Sequence, residues 1–318
     1  PALHALFHRS RLSTIDTRYL EVEVDDDERV RPTIKLYGAK TGRLAYADPA
    51  LQQWPPEIRH ILRPRAGCVF LAADYGQLEA RISAYLSGDP IDLAVFNQTW
   101  APNDPHGDIH ARNACALFGY DIKAWADLNI NHTATRNFAK TWRFGVGYGG
   151  APDSVQMKIY CPCTQWGCAE KLPPMLDLKR HEIALAARRW EIEHKVYVEW
   201  REQLVRDVLK NNGWYESPWG YKRLFLQPMP GLRNEVYNNP MQHGAAQIIN
   251  RAMVELHEQH QAPMVLVMHD ELMLEVPEGD VDHWSSVVTE VMQRPVPELG
   301  GASLPVNVSV GEDWGSVK

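Results

Sequence analysis

Short apolar runs alternate with polar segments along the chain, and their spacing predicts both strands and helices. CVFLAA (residues 68–73) is a continuous apolar run of strand length. QLEARISAYL (residues 77–86) follows it with helical spacing. Towards the other end, MVLVMHDELMLEVP (residues 264–277) has two β-rich arms around residues 269–270, which predicts a hairpin.

The middle of the chain is predicted to be mostly helical, with its clearest helix over residues 181–213 and another over 241–259. Residues 21–29 are predicted to begin as an alternating strand and to continue as a solvated loop. Turn signals dominate residues 35–56. An aromatic and aliphatic stripe on the first helix is expected to pack in a core rather than to stack on bases; its members are Trp190, Tyr197, Trp200, Leu204 and Val208.

Composition and charge limit the class of protein. The chain has 318 residues and 45% hydrophobic residues, enough for two domains or one large α/β body. It shows neither an apolar run of membrane-spanning length nor the pattern of a secretion signal, so we expect an intracellular protein without a membrane partner. The net charge of −7 argues against nucleic acid, but the positive charge is clustered. The clusters are Arg59, Arg63 and Arg65; Arg136, Lys140 and Arg143; and Lys222 and Arg223.

Two aspartates carry the first candidate chemistry. Asp74 ends the predicted strand and Asp270 lies at the hairpin turn, so adjacent strands of one sheet can bring them together. Their repulsion is relieved if they hold hard divalent cations, which prefer oxygen ligands. A pair of such ions suits phosphoryl transfer. Either aspartate taken alone would be interpreted as a turn cap.

TRNFAKTWRFGVGYGG (residues 135–150) carries the second candidate chemistry. Arg136, Lys140 and Phe144 recur every four residues and Tyr148 continues them, so on a helix two cations and two aromatics share a face. Positive charge suits a triphosphate and flat apolar rings suit a base. The nearby glycines indicate a helix end. A solvated helix face would show the same spacing, so both interpretations stay open at this point.

These segments resemble the polymerase region of a family A DNA polymerase, the bacterial DNA polymerase I type that also occurs in phages and mitochondria. DYGQLEARISAYLSGD and VMHDELMLEVP are similar to the two palm motifs, and KTWRFGVGYG to the fingers-helix motif. Supporting stretches occur in the family's order, and together the agreement covers about residues 35–318; the stretches are TGRLAYADPALQQ, GDIHARNACALFG, NNPMQHGAA and VNVSVGEDW.

The resemblance implies a mixed α/β (α+β) fold, with an antiparallel palm sheet and a mostly helical fingers subdomain. It divides the chain into a thumb remnant (1–34), palm (35–86), fingers (87–237) and a second palm segment (238–318). Most of the thumb and the proofreading exonuclease are expected to be absent. The alternatives are a fragment that lacks its thumb or exonuclease segment, a subunit that a replisome partner completes, and an unusually small polymerase. The cell compartment expected from the family is the cytoplasm of a bacterial or phage-infected cell, or an organelle.

The implied reaction is template-directed addition of a deoxynucleoside triphosphate to the 3′-hydroxyl of primer-template DNA. Asp74, Asp270 and the Tyr75 carbonyl would bind two Mg²⁺ ions, with Glu271 as a supporting carboxylate. Lys140 would lie near the reacting phosphate and protonate the leaving pyrophosphate.

The resemblance also implies a nucleotide site. Arg136 and Lys140 would hold the triphosphate, and His110 would touch the β-phosphate. Phe144 would pack against the incoming sugar and base, and Tyr148 would lie where the templating base enters.

Glu79 would exclude ribonucleotides, because its side chain occupies the space that a 2′-hydroxyl needs. Five further positions match residues that contact primer and template, chiefly in the minor groove; they are Arg43, Gln52, Asn238, Gln242 and His269.

Two positions depart from the fingers motif: Asn137 replaces an arginine and Arg143 replaces an asparagine, which we expect to change nucleotide affinity or fidelity. Two alternative functions stay open. A single-subunit RNA polymerase would share the palm aspartates, although Glu79 and the HDE sequence at residues 269–271 argue against it. A non-catalytic fragment that only binds DNA or a replisome partner would fit the missing thumb.

CPCTQWGC (residues 161–168) falls outside the family pattern. Cys161, Cys163 and Cys168 could bind Zn²⁺, with His181 or a partner group as the fourth ligand. A disulfide or free thiols in a loop is the alternative. Cys68 and Cys115 are isolated, so a disulfide framework spread along the chain is not expected.

Overall fold

The computed structural model describes residues 15–36, 38–97, 104–150, 180–226 and 232–317, together with residues 9, 12 and 13. The chain forms two compact units. Unit 1 comprises Pro1–Leu78, Gln242–Pro297 and Gly301–Lys318, and unit 2 comprises Glu79–Met241 and Glu298–Gly300. The predicted palm–fingers boundaries follow residues 86 and 237, near the unit boundaries that follow Leu78 and Met241.

Among the described residues, eight strands form one four-stranded sheet and two small hairpins. The strands are β1 (Thr33–Lys35), β2 (Ala45–Ala47), β3 (Cys68–Tyr75), β4 (Trp214–Glu216), β5 (Lys222–Leu224), β6 (Met264–Met268), β7 (Glu271–Pro277) and β8 (Val306–Gly311). The large sheet belongs to unit 1 and has the order β6-β7-β3-β8, with every neighbouring pair antiparallel. The hairpins are β1–β2 and β4–β5. The predicted antiparallel sheet is confirmed.

Strand β3 is central in this sheet, and its two faces are covered differently. Phe70 and Ala72 pack in a core cluster with Trp54 and Trp314. On the opposite face the Tyr75 hydroxyl donates to a backbone carbonyl at the end of the helix Val281–Met292, which packs on the sheet. Because side chains alternate along a strand, Asp74 continues the Phe70 face beyond the apolar core.

Eight α-helices are described, mostly in unit 2. They are α1 (Leu78–Ser87), α2 (Pro90–Phe96), α3 (Ile109–Phe118), α4 (His132–Gly147), α5 (Arg180–Glu193), α6 (Lys195–Lys210), α7 (Leu232–His260) and α8 (Val281–Met292). Helix α7 is longer than predicted and contains Pro240 near the unit boundary. The strand predicted at the start of residues 21–29 is wrong, because this segment has no ladder partner among the described strands.

The single helix predicted over residues 181–213 is wrong in one respect, because it is broken at His194 into α5 and α6. His194 has ψ 39°, outside the helical range, and its ring turns inward to the carboxylate of Asp89. The aromatic stripe forms core as predicted: Trp190 and Tyr197 are buried against Trp142 of α4. Among the described residues, no helix combines the length and the apolar character needed to cross a bilayer.

Candidate functional site

The end of β3 brings acidic residues of two adjacent strands together. Asp74 on β3 is the register partner of Glu271, the first residue of β7. The next backbone amide, of Tyr75, donates a hydrogen bond to the carbonyl of Asp270, with N···O 3.2 Å. Two distant parts of the sequence therefore meet at one end of the sheet, as the sequence predicts.

The predicted hairpin is also confirmed, and its turn consists of two residues. Met268 pairs with Glu271, which leaves His269 and Asp270 in the loop. His269 adopts φ 60°, a left-handed conformation that permits such a tight turn. Asp270 is half-buried, His269 is exposed and Glu271 is 7% exposed.

A second group of candidate residues lies on α4 in unit 2. The side chain of Asn131 caps this helix by accepting a hydrogen bond from the Ala134 amide, and the helix ends at Gly147. Lys140 is exposed, and the other members of the predicted stripe are half-buried. The stripe consists of Arg136, Lys140, Phe144 and Tyr148, the last of which caps the helix.

Arg136 forms an ion pair with Asp108, the N-cap residue of α3. One oxygen of Asp108 accepts hydrogen bonds from the amides of His110 and Ala111, at 2.8 and 3.3 Å, and the other accepts from Arg136. Asp108 thus holds α3 and α4 together and orients the first cation of the stripe.

His110 is 2% exposed, and its ring centroid lies 5.6 Å from that of Phe144. Within the described residues, its Nδ1 has no hydrogen-bond partner. Burial lowers the pKa of His110 well below its usual value, and the positive charges of Arg136, Lys140 and Arg143 lower it further. A neutral imidazole therefore lies beside the cationic stripe, with one ring nitrogen able to donate.

The C-terminal end of α4 is fixed by contacts within unit 2. The Tyr148 hydroxyl donates to a carboxylate oxygen of Glu79 at 2.6 Å, and the Tyr148 ring stacks on Phe144 with centroids 5.5 Å apart. Gly149 has φ 73° and lies against the Tyr237 ring, where a β-carbon would come within 2.9 Å of a ring carbon. A side chain at position 149 is therefore excluded by both conformation and space.

The cation Arg201 also holds this end of the helix. Its Nη1 donates to the carbonyls of Val146 and Gly147 at 2.8 and 3.0 Å, while Nη2 donates to Glu191. The Tyr197 hydroxyl donates to the Gly147 carbonyl as well, at 3.1 Å. The Val146 carbonyl also accepts from the Gly149 amide at 3.0 Å, so Arg201 adds a second donor there and serves the Gly147 carbonyl together with Tyr197. The positive charge suits the negative end of the helix dipole. Sequence reasoning missed Arg201, which no local pattern distinguishes.

The residues predicted to contact primer and template lie on three segments. Arg43 and Gln52 flank β2, His269 is in the β6–β7 turn, and the other two are on α7; these two are Asn238 and Gln242. His243 of α7 contacts the Thr41 carbonyl through Nδ1 at 3.0 Å. This contact joins the segment that carries Arg43 to the part of α7 that carries Gln242. Sequence reasoning missed His243, although it lies inside a quoted motif.

Arg143, which the sequence groups with the cations Arg136 and Lys140, is buried. Its side chain is 6% exposed and forms a 2.6 Å ion pair with Asp92, which is fully buried. Its guanidinium also lies over the Trp190 ring, 4.1 Å from the centroid. The Arg223 side chain is also mostly buried, and it forms an ion pair with Glu235.

Three buried side chains form a group that sequence reasoning missed. Ligand atoms of Asp89, Asp92 and His194 lie within 4.8 Å of one another, so the group could hold a metal ion. Burial raises the pKa of Asp89, but hydrogen bonds from His194 and from the Asp92 and Tyr197 amides outweigh it, so the pKa is lowered. The Asp-Pro sequence at residues 89–90 signals a helix cap, not this long-range group.

The predicted zinc ligands Cys161, Cys163 and Cys168 lie outside the described residues, and His181 is exposed near the start of α5. Among the described residues, Cys68 and Cys115 are free thiols.

Comparison with known proteins identifies the family to which the chain belongs. The family model of DNA polymerase family A matches residues 4–316, so the chain belongs to DNA polymerase family A. Polymerases of this family use divalent metal ions.

Individual relatives agree with this assignment. The chain is 32% identical to the thermostable DNA polymerase I of Thermus filiformis over 99% of its length, and 31% identical to DNA polymerase I of Chloroflexus aurantiacus over 90%. It covers 36% and 29% of those proteins, so it spans about a third of the length of the curated relatives it matches.

A solved structure supports the fold. It is the polymerase domain of Pol1 from M. smegmatis, in complex with a DNA primer-template and dNTP. The TM-score is 0.77 at 24% identity, and the match covers 99% of this chain and 53% of that one.

Proposed function

We propose that this chain catalyses template-directed addition of deoxynucleotides to a primer 3′-hydroxyl by two-metal phosphoryl transfer. The observation that carries the proposal is the juxtaposition of Asp74 with the Asp270–Glu271 segment at one end of the sheet. Membership of DNA polymerase family A supports it, as does the likeness in fold to a polymerase domain bound to primer-template and dNTP.

The donor set at this end of the sheet fits magnesium. Asp74 and Asp270 are half-buried carboxylates on adjacent chain segments, and the Tyr75 carbonyl adds a third oxygen. Mg²⁺ prefers such oxygen ligands and retains positions for water and phosphate. Bound there, two Mg²⁺ ions would activate the primer hydroxyl and stabilise the charge on pyrophosphate. Glu271 is the register partner of Asp74 and supports it.

The α4 stripe supplies the nucleotide site. Lys140 is exposed and can reach a phosphate, and it donates a proton to the leaving pyrophosphate. Arg136 is held by Asp108, so a triphosphate must share or replace that carboxylate. His110 stays neutral and donates a hydrogen bond to the β-phosphate. The Phe144 ring contacts the incoming sugar and base.

Selection of the sugar depends on Glu79. The hydrogen bond from Tyr148 holds its carboxylate in one orientation, which keeps the space for a 2′-hydroxyl filled. Tyr148 itself would lie where the templating base enters. This contact favours a DNA polymerase over the RNA polymerase alternative.

Primer and template contact the remaining predicted residues. The Thr41–His243 hydrogen bond connects the segment that carries Arg43 to the part of α7 that carries Gln242. Amide and guanidinium donors suit the minor-groove acceptors, which are nearly equivalent in all correct base pairs. Pairing is thereby checked without reading sequence.

A primer-extension assay with Mg²⁺ tests the function. The wild type should extend with deoxynucleotides and discriminate against ribonucleotides, while D74A and D270A should bind DNA but not extend it. A matched control, D282N, removes an exposed carboxylate of α8 and should extend normally. Extension by D74A would refute the metal assignment. A preference of the wild type for ribonucleotides would favour the RNA polymerase alternative. DNA binding by the wild type without extension would favour the non-catalytic alternative.

A further inference from the structure

Arg143 connects α4 to the interior of unit 2. Its Nη2 donates to Asp92 at 2.6 Å, and the two side chains are 6% and 0% exposed. The guanidinium carbon lies 4.1 Å from the Trp190 ring centroid and 5.2 Å from that of Tyr197. One side chain of α4 thus contacts α2, α5 and α6.

The carboxylate side of this pair is itself part of a network. Asp89 caps α2 by accepting from the amides of Ile91 and Asp92, both at 3.1 Å. The same oxygen accepts from His194 Nδ1 at 3.0 Å, and the second oxygen accepts from the Tyr197 amide at 3.4 Å. The network therefore links the start of α2, the middle of α4 and the α5–α6 junction.

An ion-pair network explains these contacts better than a metal site does. Arg143 already supplies a permanent positive charge to Asp92, and a divalent ion beside it would be repelled at low dielectric. Asp89 uses both oxygens for backbone amides and His194. A metal ion would have to displace these partners.

The position of Arg143 along α4 relates its ion pair to the α4 stripe. Arg143 follows Arg136 by seven residues, so the two lie within about 20° of each other around the helix, two turns apart. Each pairs with an aspartate at the start of a neighbouring helix, Asp108 of α3 and Asp92 of α2. Two such attachments along one line fix the rotation of α4 about its axis.

We propose that Arg143 is a positioning residue: its pair with Asp92, backed by Asp89 and His194, sets the rotation of α4 and thereby the direction of Lys140 and Phe144. This inference rests on the proposed function of the stripe. Breaking one member leaves a buried charge without its partner, whereas neutralising both leaves none. The two kinds of variant should therefore behave differently.

The test compares D92N, R143Q, the double variant and R143K. Each single neutralisation should lower the unfolding midpoint by about 5 °C, since breaking a buried ion pair is strongly destabilising. It should raise the dNTP KM about tenfold or more at a temperature where every variant is folded, because misplacing a binding group by an ångström is costly. The KM for primer-template should stay within about twofold.

Rescue distinguishes positioning from folding. The double variant D92N/R143Q should recover much of the midpoint and of the dNTP KM, because two amides can still pair. R143K keeps the charge but loses the planar fork, so it should recover only part of each. The control V208A removes buried volume from α6 in another core cluster and should lower the midpoint without raising the dNTP KM.

Three results would overturn the positioning role while leaving the proposed function intact. The first is that the effects of D92N and R143Q on the unfolding midpoint and on the dNTP KM add up in the double variant. The second is that V208A raises the dNTP KM together with lowering the midpoint, as R143Q does. The third is a tightly retained divalent ion in the wild type that disappears in H194Q, which would make the group a metal site. A wild type that fails to extend any primer would refute the proposed function and the positioning role with it, whereas the unfolding data would still report the Asp92–Arg143 coupling.

Discussion

The Tyr148 hydroxyl donates a hydrogen bond to the Glu79 carboxylate, with O···O 2.6 Å. Glu79 lies in the first turn of α1 and Tyr148 caps the end of α4. The residue proposed to reject ribonucleotides is thereby held by the residue proposed to guard the template position. If both proposed roles hold, this one contact couples sugar selection to template entry.

Removing either partner should relax sugar selection to different degrees. E79A opens the space that a 2′-hydroxyl needs, so the ratio of kcat/KM for ribonucleotides to that for deoxynucleotides should rise about a hundredfold. Y148F keeps the ring but loses one hydrogen bond of about 1 kcal/mol, so its rise should stay below about tenfold. Single-nucleotide incorporation kinetics measure both ratios.

The control is Y120F, which removes a hydroxyl elsewhere in unit 2 and should leave the ratio unchanged. A rise in Y148F larger than that in E79A would contradict the assignment of the gate to Glu79.

The metal assignment predicts an effect on stability that does not require turnover. Ligands that bind only the folded state raise the unfolding midpoint. Adding Mg²⁺ should therefore raise the midpoint of the wild type but not of D74N or D270N. A Mg²⁺-dependent rise that persists in both variants would place the ions elsewhere.

His110 predicts a pH dependence of stability. Its pKa lies well below 6.5 in the folded chain, through burial and then the nearby positive charges, so the unfolded chain binds more protons. Stability should therefore fall as the pH falls below about 6.5, by at most about 1.4 kcal/mol per pH unit for this group. The loss should level off below the folded-state pKa. Urea unfolding at a series of pH values measures the slope.

H110Q should flatten that slope, whereas H257Q, which changes an exposed residue of α7, should not. Some slope should remain in H110Q, since burial also lowers the pKa of His243. An unchanged slope in H110Q would mean that His110 does not carry the effect.

The local part of the candidate site could be predicted from sequence. The strand that carries Asp74 near its end, the hairpin turn at Asp270 and the helical stripe from Arg136 to Phe144 each follow from a short local pattern of apolar and polar residues. The family resemblance added which of these belong together, and the family match confirms the resemblance.

Long-range polar contacts could not be predicted, because no local period encodes them. Arg143 follows two other cations on the same helix, yet it is buried because it forms an ion pair with Asp92, 51 residues earlier in the chain. His194 lies within a good helical pattern, but its bond to Asp89 accompanies the break between α5 and α6. In each case a buried partner from another helix outweighs the local preference.

Arg201 stabilises the C-terminal end of α4 through hydrogen bonds to its carbonyls. It is 4% exposed and donates to the Val146 and Gly147 carbonyls. R201M should cost about 1–3 kcal/mol in the free energy of unfolding, because it removes the two hydrogen bonds that Arg201 donates to carbonyls of this helix end. Y197F should cost less, about 1 kcal/mol, since Arg201 still serves the Gly147 carbonyl. Urea unfolding measures both, with exposed R206M as the matched control. If R201M were as stable as R206M, the carbonyls of this helix end would not depend on Arg201.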